Sequence, residues 1–326
     1  MGTTLESNLA ERSLSGAGEG CLPLVSSVLG ALVYADLFDA PLSLEEIHRY
    51  QVGTSYSALE IGMALRTDPD LIARTSKAGD HYCLKGREAL FGVRIERALH
   101  SERVWRRARI YSRWLKRLPF VRMVAVTGAL AVDNVNGRDD IDLLVISDAG
   151  RVWLCRRGLI AWVRIGRLLG DDLCPNYILS DGSLELSQRD FFTAHELAQM
   201  VPLVGSRVYE GMLAANAWAK LYLPCLDASP RLRADSRSPV RGRGPVEKVL
   251  RKHVFDEWER WELDRLRRKL RADLGQDAEV VLTPDQCKGH TGLHRAAVMT
   301  RYMSRLADMG LQDVVAVLEA VKLRTA

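Results

Sequence analysis

Apolar residues fall at helical spacing over residues 22–50, with Val25, Val28, Leu29, Leu32 and Val33 along one stripe. Pro41 breaks that run. Ser43, followed three residues later by Glu46, has the spacing of a capping box and restarts a helix. A third helical segment is expected over residues 56–66. Two short runs, 71–75 and 81–84, flank the turn Lys77-Ala78-Gly79-Asp80 and read as the strands of a hairpin.

Three helices followed by a hairpin is the order of a winged helix, although a plain helical subdomain with a hairpin has the same pattern. Residues 89–118 form a long basic amphipathic helix carrying Arg94, Arg97, Arg103, Arg106, Arg107 and Arg109, which reads first as a solvated face. The β-branched run 121–126 predicts a buried strand ending at Gly128. A second strand is expected at 141–146, a helix at 151–169, a third strand at 173–179 and a short fourth at 184–187. Residues 119–187 are therefore expected to form a mixed sheet with helices against it. Residues 229–245 contain three prolines and five arginines against one acid, Asp235, and read as a linker. A charged helix with Trp258 and Trp261 is expected over 245–274, and a final helical piece over 292–324. The Gly-, Ser- and Glu-rich residues 1–20 read as a tail.

Composition narrows this picture. The 326 residues suffice for two domains, or for one with large appendages. The balance of 46 Lys+Arg against 41 Asp+Glu leaves a net charge of +5, too mild to mark a nucleic-acid binder. Six cysteines without a C-x-x-C pair suggest reduced thiols rather than a disulfide framework. The start of the chain is polar and acidic, unlike a signal peptide. The apolar helix over 151–169 is interrupted by Arg156, Arg157, Arg164 and Arg167, too many charges for a membrane span. A cytoplasmic protein is expected.

The chemistry concentrates in VTGALAVDNVNGRDDIDLLVIS, residues 126–147. Asp140 and Asp142 flank Ile141 at the start of a strand, so the two-residue period sends both carboxylates to one face. Like charges so placed repel unless a cation lies between them, and a hard divalent ion with oxygen ligands suits the pair. Gly128 has no side chain, so backbone N–H groups there are open to a phosphate. Paired aspartates beside such a turn are what phosphoryl or nucleotidyl transfer requires.

A strand, a Gly-plus-small pair and then D-h-D opening the next strand resembles the nucleotidyltransferase superfamily that includes DNA polymerase β. Gly128-Ala129 stands where that family has Gly-Ser or Gly-Gly, and Asp140 and Asp142 match its paired metal ligands, twelve and fourteen positions further on. The resemblance covers about residues 119–180. It implies an α+β fold: a small mixed-sheet nucleotidyltransferase core with an N-terminal winged-helix-like domain and a C-terminal helical region. The corresponding divisions are a tail at 1–21, a winged-helix-like domain at 22–95, the core at 96–228, a basic linker at 229–245 and a helical region at 246–326. Two departures stand out. Ala129 lacks the hydroxyl of a serine, and the third carboxylate, expected on the following strand, is replaced at the plausible position by Asn176, which ligates through oxygen but is no general base. Asp171, Asp172 and Glu185 are nearby substitutes, and the sequence does not choose among them.

Weaker signals surround this motif. Cys287, His290 and His294 form C-x2-H-x3-H without a fourth ligand nearby, and Gly289 and Gly292 suggest a loop. Lys288 and His290 are alternatively placed to reach an NTP phosphate. Asp190, Thr193 and His195-Glu196 open a helix, with Asp190 or Thr193 read as its cap, Trp218 as core, and Asn216 as a buried hydrogen-bonding or base-contacting residue.

The function expected is transfer of a nucleoside monophosphate from an NTP, taken as ATP, to a hydroxyl or similar group of a small molecule or protein. Asp140 and Asp142 would hold Mg²⁺ or Mn²⁺, with Asn176 beside them. Thr127, Gly128, Ala129, Lys288 and His290 would bind the nucleotide. The alternative is a catalytically degenerate relative that binds nucleotide, DNA or a protein through its front domain. The candidate recognition helix, residues 56–66, offers only Arg66 and the acid Glu60, a poor surface for phosphate, so nucleic acid is not favoured and a supporting role for that domain is expected.

Overall fold

The computed structural model describes residues 22–137, 140–227, 244–250, 253–273, 280–289 and 294–325. The sequence-based expectations for the tail, for His290 and for the linker up to residue 243 lie outside these described residues. The chain is a mixed α+β protein with two sheets.

The first helix, α1 (Leu24–Asp36), is buried at every position from Ser27 to Ala35, so other elements must surround it. Helix α2 (Leu44–Tyr50) is opened by the predicted capping box. The Ser43 amide donates to Glu46 Oε2 at 2.9 Å and the Glu46 amide to Ser43 Oγ at 3.2 Å. Helix α3 (Ala58–Thr67) repeats the device with Ser57 and Glu60.

Residues 71–74, expected in a strand, instead belong to helix α4 (Pro69–Arg74). Asp68 accepts from the amides of Asp70 and Leu71, and Pro69 supplies a preset first turn. The hairpin follows directly as β2 (Thr75–Ala78) and β3 (His81–Leu84), with the short β1 (Leu42–Ser43) added to its β3 edge. The long helix α5 (Leu90–Leu115) then leads to the larger sheet.

That sheet contains β4 (Val121–Val126), β5 (Ile141–Ser147), β6 (Leu173–Ser180), β7 (Val201–Val204), β8 (Val280–Leu282) and β9 (Gln286–Gly289), in the order β7-β4-β5-β6-β9-β8. Strands β4 and β5 are antiparallel and enclose the one-turn helix α6 (Gly128–Ala131). Strands β5 and β6 are parallel, joined by helix α7 (Val152–Leu168). Strand alternation divides the core. Met123, Ala125, Leu144 and Ile146 face α1 and its partners, whereas Val124, Val126, Leu143 and Val145 pack against Trp105, Tyr111, Trp153 and Leu159.

Residues 184–187 do not form the expected strand. The side chain of Asn216 takes the place of a ladder partner, donating to the Leu184 carbonyl and accepting from the Leu186 amide, both at 2.8 Å. The fourth strand is instead β7, whose Pro202 is tolerated because β7 lies at the sheet edge. Between β6 and β7 runs helix α8 (Phe191–Gln199), with Asp190 accepting from the Thr193 amide as its cap, and α9 (Ser206–Ala215) follows β7.

The C-terminal region is not helical throughout. After α10 (Pro245–Leu250) and α11 (His253–Asp273), the β8–β9 hairpin adds to the free edge of β6, so Cys287, Lys288 and Gly289 lie in a strand rather than a loop. The final helical piece is two helices, α12 (His294–Asp308) and α13 (Gln312–Thr325). They part at Gly310, whose φ of +71° ends the first as the Leu311 amide bonds back to the Leu306 carbonyl at 2.9 Å. Helix α12 returns to α1: the Tyr302 hydroxyl donates to the Gly30 carbonyl at 3.0 Å, and Arg305 pairs with Asp36 at 2.6 Å. Val314, Leu318 and Val321 of α13 join the same core as Leu22 and α1. The cysteines at 83, 155, 174, 225 and 287 are free thiols. Among the described residues no helix is long and apolar enough to cross a membrane.

Candidate active site

Strand β4 ends at Val126, and the Thr127 amide continues its ladder by donating to the Asp142 carbonyl at 3.1 Å. Gly128 then takes a φ of +65°, a conformation that L side chains rarely adopt, and turns the chain into α6. A Cβ at that position would lie 2.3 Å from Asp142 Oδ2, closer than atoms tolerate. The Asp142 carboxylate therefore occupies the space that a side chain on residue 128 would need. This close approach is why glycine stands there.

Asn176 reaches the same carboxylate from β6. The β5–β6 register pairs Leu143 with Pro175 and Leu144 with Tyr177, leaving Asn176 as the extra residue of a bulge. Bulges re-aim side chains, and here Asn176 Nδ2 donates to Asp142 Oδ1 at 2.6 Å. The Cys174 thiol donates to Asn176 Oδ1 at 2.8 Å. Burial raises that thiol to about 11, with further contributions from Asp142 and Asp140, so it stays protonated and available as a donor. Asn176 is thus a positioning group that fixes one oxygen of Asp142. Asp140 lies exposed one pleat repeat before Asp142, on the same strand face by alternation.

These groups open on a cavity of about 340 Å³ between the larger sheet, α8 and the N-terminal helices. Of the residues singled out from the sequence, Thr127, Gly128, Ala129, Asp142, Asn176 and Lys288 all line it, whereas Asp140 is not among its lining residues. Lys288 comes from β9, where alternation sends Cys287 into the core and Lys288 to the cavity side. Its Nζ donates to Gln188 Oε1 at 2.5 Å and sits 5.7 Å from the Tyr177 ring centre. The metal-like spacing of Cys287 with His290 and His294 places Cys287 in a buried strand.

None of the three substitutes for the missing carboxylate reaches the cavity. Asp171 is buried, held by Arg107 at 2.6 Å and by the Tyr111 hydroxyl at 2.7 Å. Asp172 pairs with Arg167 at 3.6 Å, and Glu185 with Arg189. Besides Asp142 and the ion-paired Glu46, the carboxylate that lines the cavity is Glu196, on α8. Burial first and the nearby Asp142 charge second, opposed by Lys288, together raise it to about 7. Sequence reading placed Glu196 at the opening of a helix and gave it no role in the site, because a lone glutamate on a helix has the pattern of a solvated position. Arg295, paired with Asp190, and the buried Arg94–Glu46 pair at 3.2 Å complete the charged lining and were likewise missed.

Comparison with protein-family models, with curated proteins and with solved structures finds no match for this chain.

Among the described residues no three His, Cys, Asp or Glu side chains are grouped to hold a metal ion by themselves. Mg²⁺ takes one or two carboxylates and completes its shell with water and substrate phosphates. The donors here, the carboxylate oxygens of Asp140 and Asp142, are hard, and that chemistry fits Mg²⁺ or Mn²⁺ rather than a thiolate- or imidazole-preferring metal. The Asn176 oxygen is turned to the Cys174 thiol and is not among them.

Proposed function

We propose that this chain is a nucleotidyltransferase that moves a nucleoside monophosphate from an NTP to a hydroxyl group, releasing pyrophosphate. The observation that carries this reading is the Asp142 carboxylate packed against the bare Cα of Gly128. The turn's backbone N–H groups attract a phosphate that the adjacent carboxylate repels unless a cation lies between them. Bound by Asp140 and Asp142, Mg²⁺ or Mn²⁺ would supply that cation and offset the charge on the transferred phosphate.

On this reading the larger sheet is a nucleotidyltransferase core and the N-terminal helices with their hairpin are a winged-helix-like unit. The backbone N–H groups of Gly128 and Ala129 hold phosphate oxygens, and Lys288 and Arg295 neutralise the triphosphate. Glu196 stands in for the third carboxylate. The acceptor oxygen attacks the α-phosphorus and forms the new P–O bond. The bond from that phosphorus to the bridging oxygen breaks, and pyrophosphate leaves with the electron pair. The acceptor proton passes to Glu196, whose raised pKa suits a base near neutral pH.

The N-terminal unit supplies a wall of the cavity through Tyr34, Tyr50 and Arg94. That supports a structural role over DNA binding, and the exposed face of α3 carries Leu59 and Met63 with Arg66 as its one cation. One observation favours a second reading, a nucleotide-binding regulator without turnover: β6 presents Asn176, not a carboxylate, to Asp142. Incubation with each α-phosphate-labelled NTP, Mg²⁺ and a panel of hydroxyl acceptors tests the choice. Label transfer lost in Glu196→Gln supports the enzyme. Nucleotide binding without label release for any acceptor supports the regulator.

A further inference from the structure

Helices α5 and α7 cover the side of the larger sheet turned away from the cavity. Trp105, Tyr111, Leu159 and Val163 supply their buried faces, whereas Leu144, which lines the cavity, lies on the opposite side of the sheet. The two helices run antiparallel and side by side. The rings of Trp114 and Trp162 stack with their centres 5.8 Å apart. Asp171, just beyond α7, is held by Arg107 at 2.6 Å and by the Tyr111 hydroxyl at 2.7 Å. The outer faces therefore form one continuous surface, with the Leu168–Leu169 end of α7 beside Ile110 of α5.

That surface is strongly apolar at this end. Leu168 is 87% exposed and Leu169 63%, and Ile110, Trp114 and Ile165 are exposed with them. Single exposed apolar residues are ordinary, but a cluster drawn from two neighbouring helices marks an interaction surface. The charge around it has one sign. Residues 103–117 hold seven cations and no acid, and α7 holds four cations and no acid. Asp171 and Asp172 answer Arg107 and Arg167, and Glu262 answers Arg156 and Arg157. Arg103, Arg106 and Arg164 are exposed in addition.

We propose that this face docks on the surface of an anionic phospholipid membrane. Leu168, Leu169, Ile110 and Trp114 enter the headgroup boundary, and the arginines around them meet lipid phosphates. Cations rimming aliphatic and tryptophan side chains are the pattern of a helix that lies in the plane of a membrane without crossing it. Two other occupants fit less well. Exposed leucines and isoleucines offer a nucleic acid neither a stacking platform nor a phosphate contact. A second copy of the same face would set cations against cations. Docking here leaves the cavity open on the far side of the sheet, so this surface and the transferase reading stand or fall separately.

The test uses the full chain with vesicles of phosphatidylglycerol and phosphatidylcholine, against vesicles of phosphatidylcholine alone. Co-sedimentation measures binding, and lipids brominated high in the acyl chain report by quenching whether tryptophan enters the bilayer. Binding and quenching are expected on the anionic vesicles only, and both should weaken as salt rises from about 0.1 M to about 0.5 M. Leu168→Gln/Leu169→Gln should weaken binding about tenfold. Arg106→Gln/Arg164→Gln should weaken it about 25-fold, at roughly fivefold for each arginine. All four positions are exposed, so both variants should unfold at the wild-type temperature. Quenching in the wild type decides the matter should a variant prove unstable. Absence of binding to anionic vesicles, or binding that the leucine variant leaves unchanged, overturns the proposal. Without vesicle binding, capture of oligouridylate RNA that only the arginine variant loses assigns the face to nucleic acid instead. Self-association that the leucine variant loses, again without vesicle binding, assigns it to a second copy.

Discussion

Replacing Gly128 with alanine tests whether the Asp142 carboxylate is held where catalysis needs it. A Cβ on residue 128 would meet Asp142 Oδ2 at 2.3 Å, Cγ at 3.2 Å and Cβ at 3.4 Å. Only the last is an ordinary contact. To relieve the first, the carboxylate must swing away and surrender its 2.6 Å bond from Asn176. A hydrogen bond to a charged group contributes about 1.5–3 kcal/mol. Holding alanine at a φ of +65° adds about 1–2 kcal/mol whatever the space. Gly128→Ala should thus destabilise the wild type by about 3–5 kcal/mol. In an Asp142→Ala background the nearest remaining atom is the Cβ at 3.4 Å, so only the backbone part, about 1–2 kcal/mol, should remain. Urea unfolding of the four proteins in this double-mutant cycle measures the coupling, expected at about 2 kcal/mol. Equal effects of Gly128→Ala in both backgrounds would refute the close approach of the two residues.

Three further outcomes are expected. Burial lowers His195 to about 3, so between pH 6.5 and 3 the unfolded chain holds a proton that the folded one refuses, and stability falls as pH drops through that window. At ~1.36 kcal/mol per pH unit this amounts to roughly 4–5 kcal/mol. His195→Phe should lose that much less stability on acidification, and an unchanged acid profile would contradict the burial of a neutral ring. Arg94→Met leaves the buried Glu46 without its 3.2 Å partner and should destabilise by about 3–5 kcal/mol, partly restored by adding Glu46→Gln, as thermal unfolding would measure. Helix α7 has no side-chain cap from its own first residue; Glu259 on α11 accepts from the amides of Trp153 and Leu154 at 2.9 and 2.8 Å instead. Glu259→Ala should therefore lower stability by about 2 kcal/mol, and a loss below about 0.5 kcal/mol in denaturant titration would show the cap to be idle.

Much of the larger sheet was legible because β4 and β5 are apolar runs rich in valine and isoleucine, and β6 carries the apolar stretch Tyr177-Ile178-Leu179. Asp142 was legible because D-h-D at a strand start fixes a shared face. The β8–β9 hairpin was not, since Gln286-Cys287-Lys288-Gly289 becomes a strand only by pairing with the edge of β6, a tertiary event. The misread residues 71–74 carried a usable signal in Asp68-Pro69, the cap and first-turn proline of α4. At 184–187 a distant side chain, Asn216, replaced a strand partner, and no local pattern records that. The same limit hid Glu196 and His195. Their importance comes from α8 packing against the helix at the chain's start, which brings Tyr34 over the His195 ring.

The most direct test of the central claim is a thermal-shift titration with ATP, GTP, CTP and UTP, each with and without Mg²⁺, run beside the Asp140→Asn/Asp142→Asn double variant. Stabilisation by at least one nucleotide is expected, requiring Mg²⁺ and vanishing in the variant. An equal shift in both proteins, or none with any nucleotide, would contradict a cation-dependent nucleotide site at Asp142.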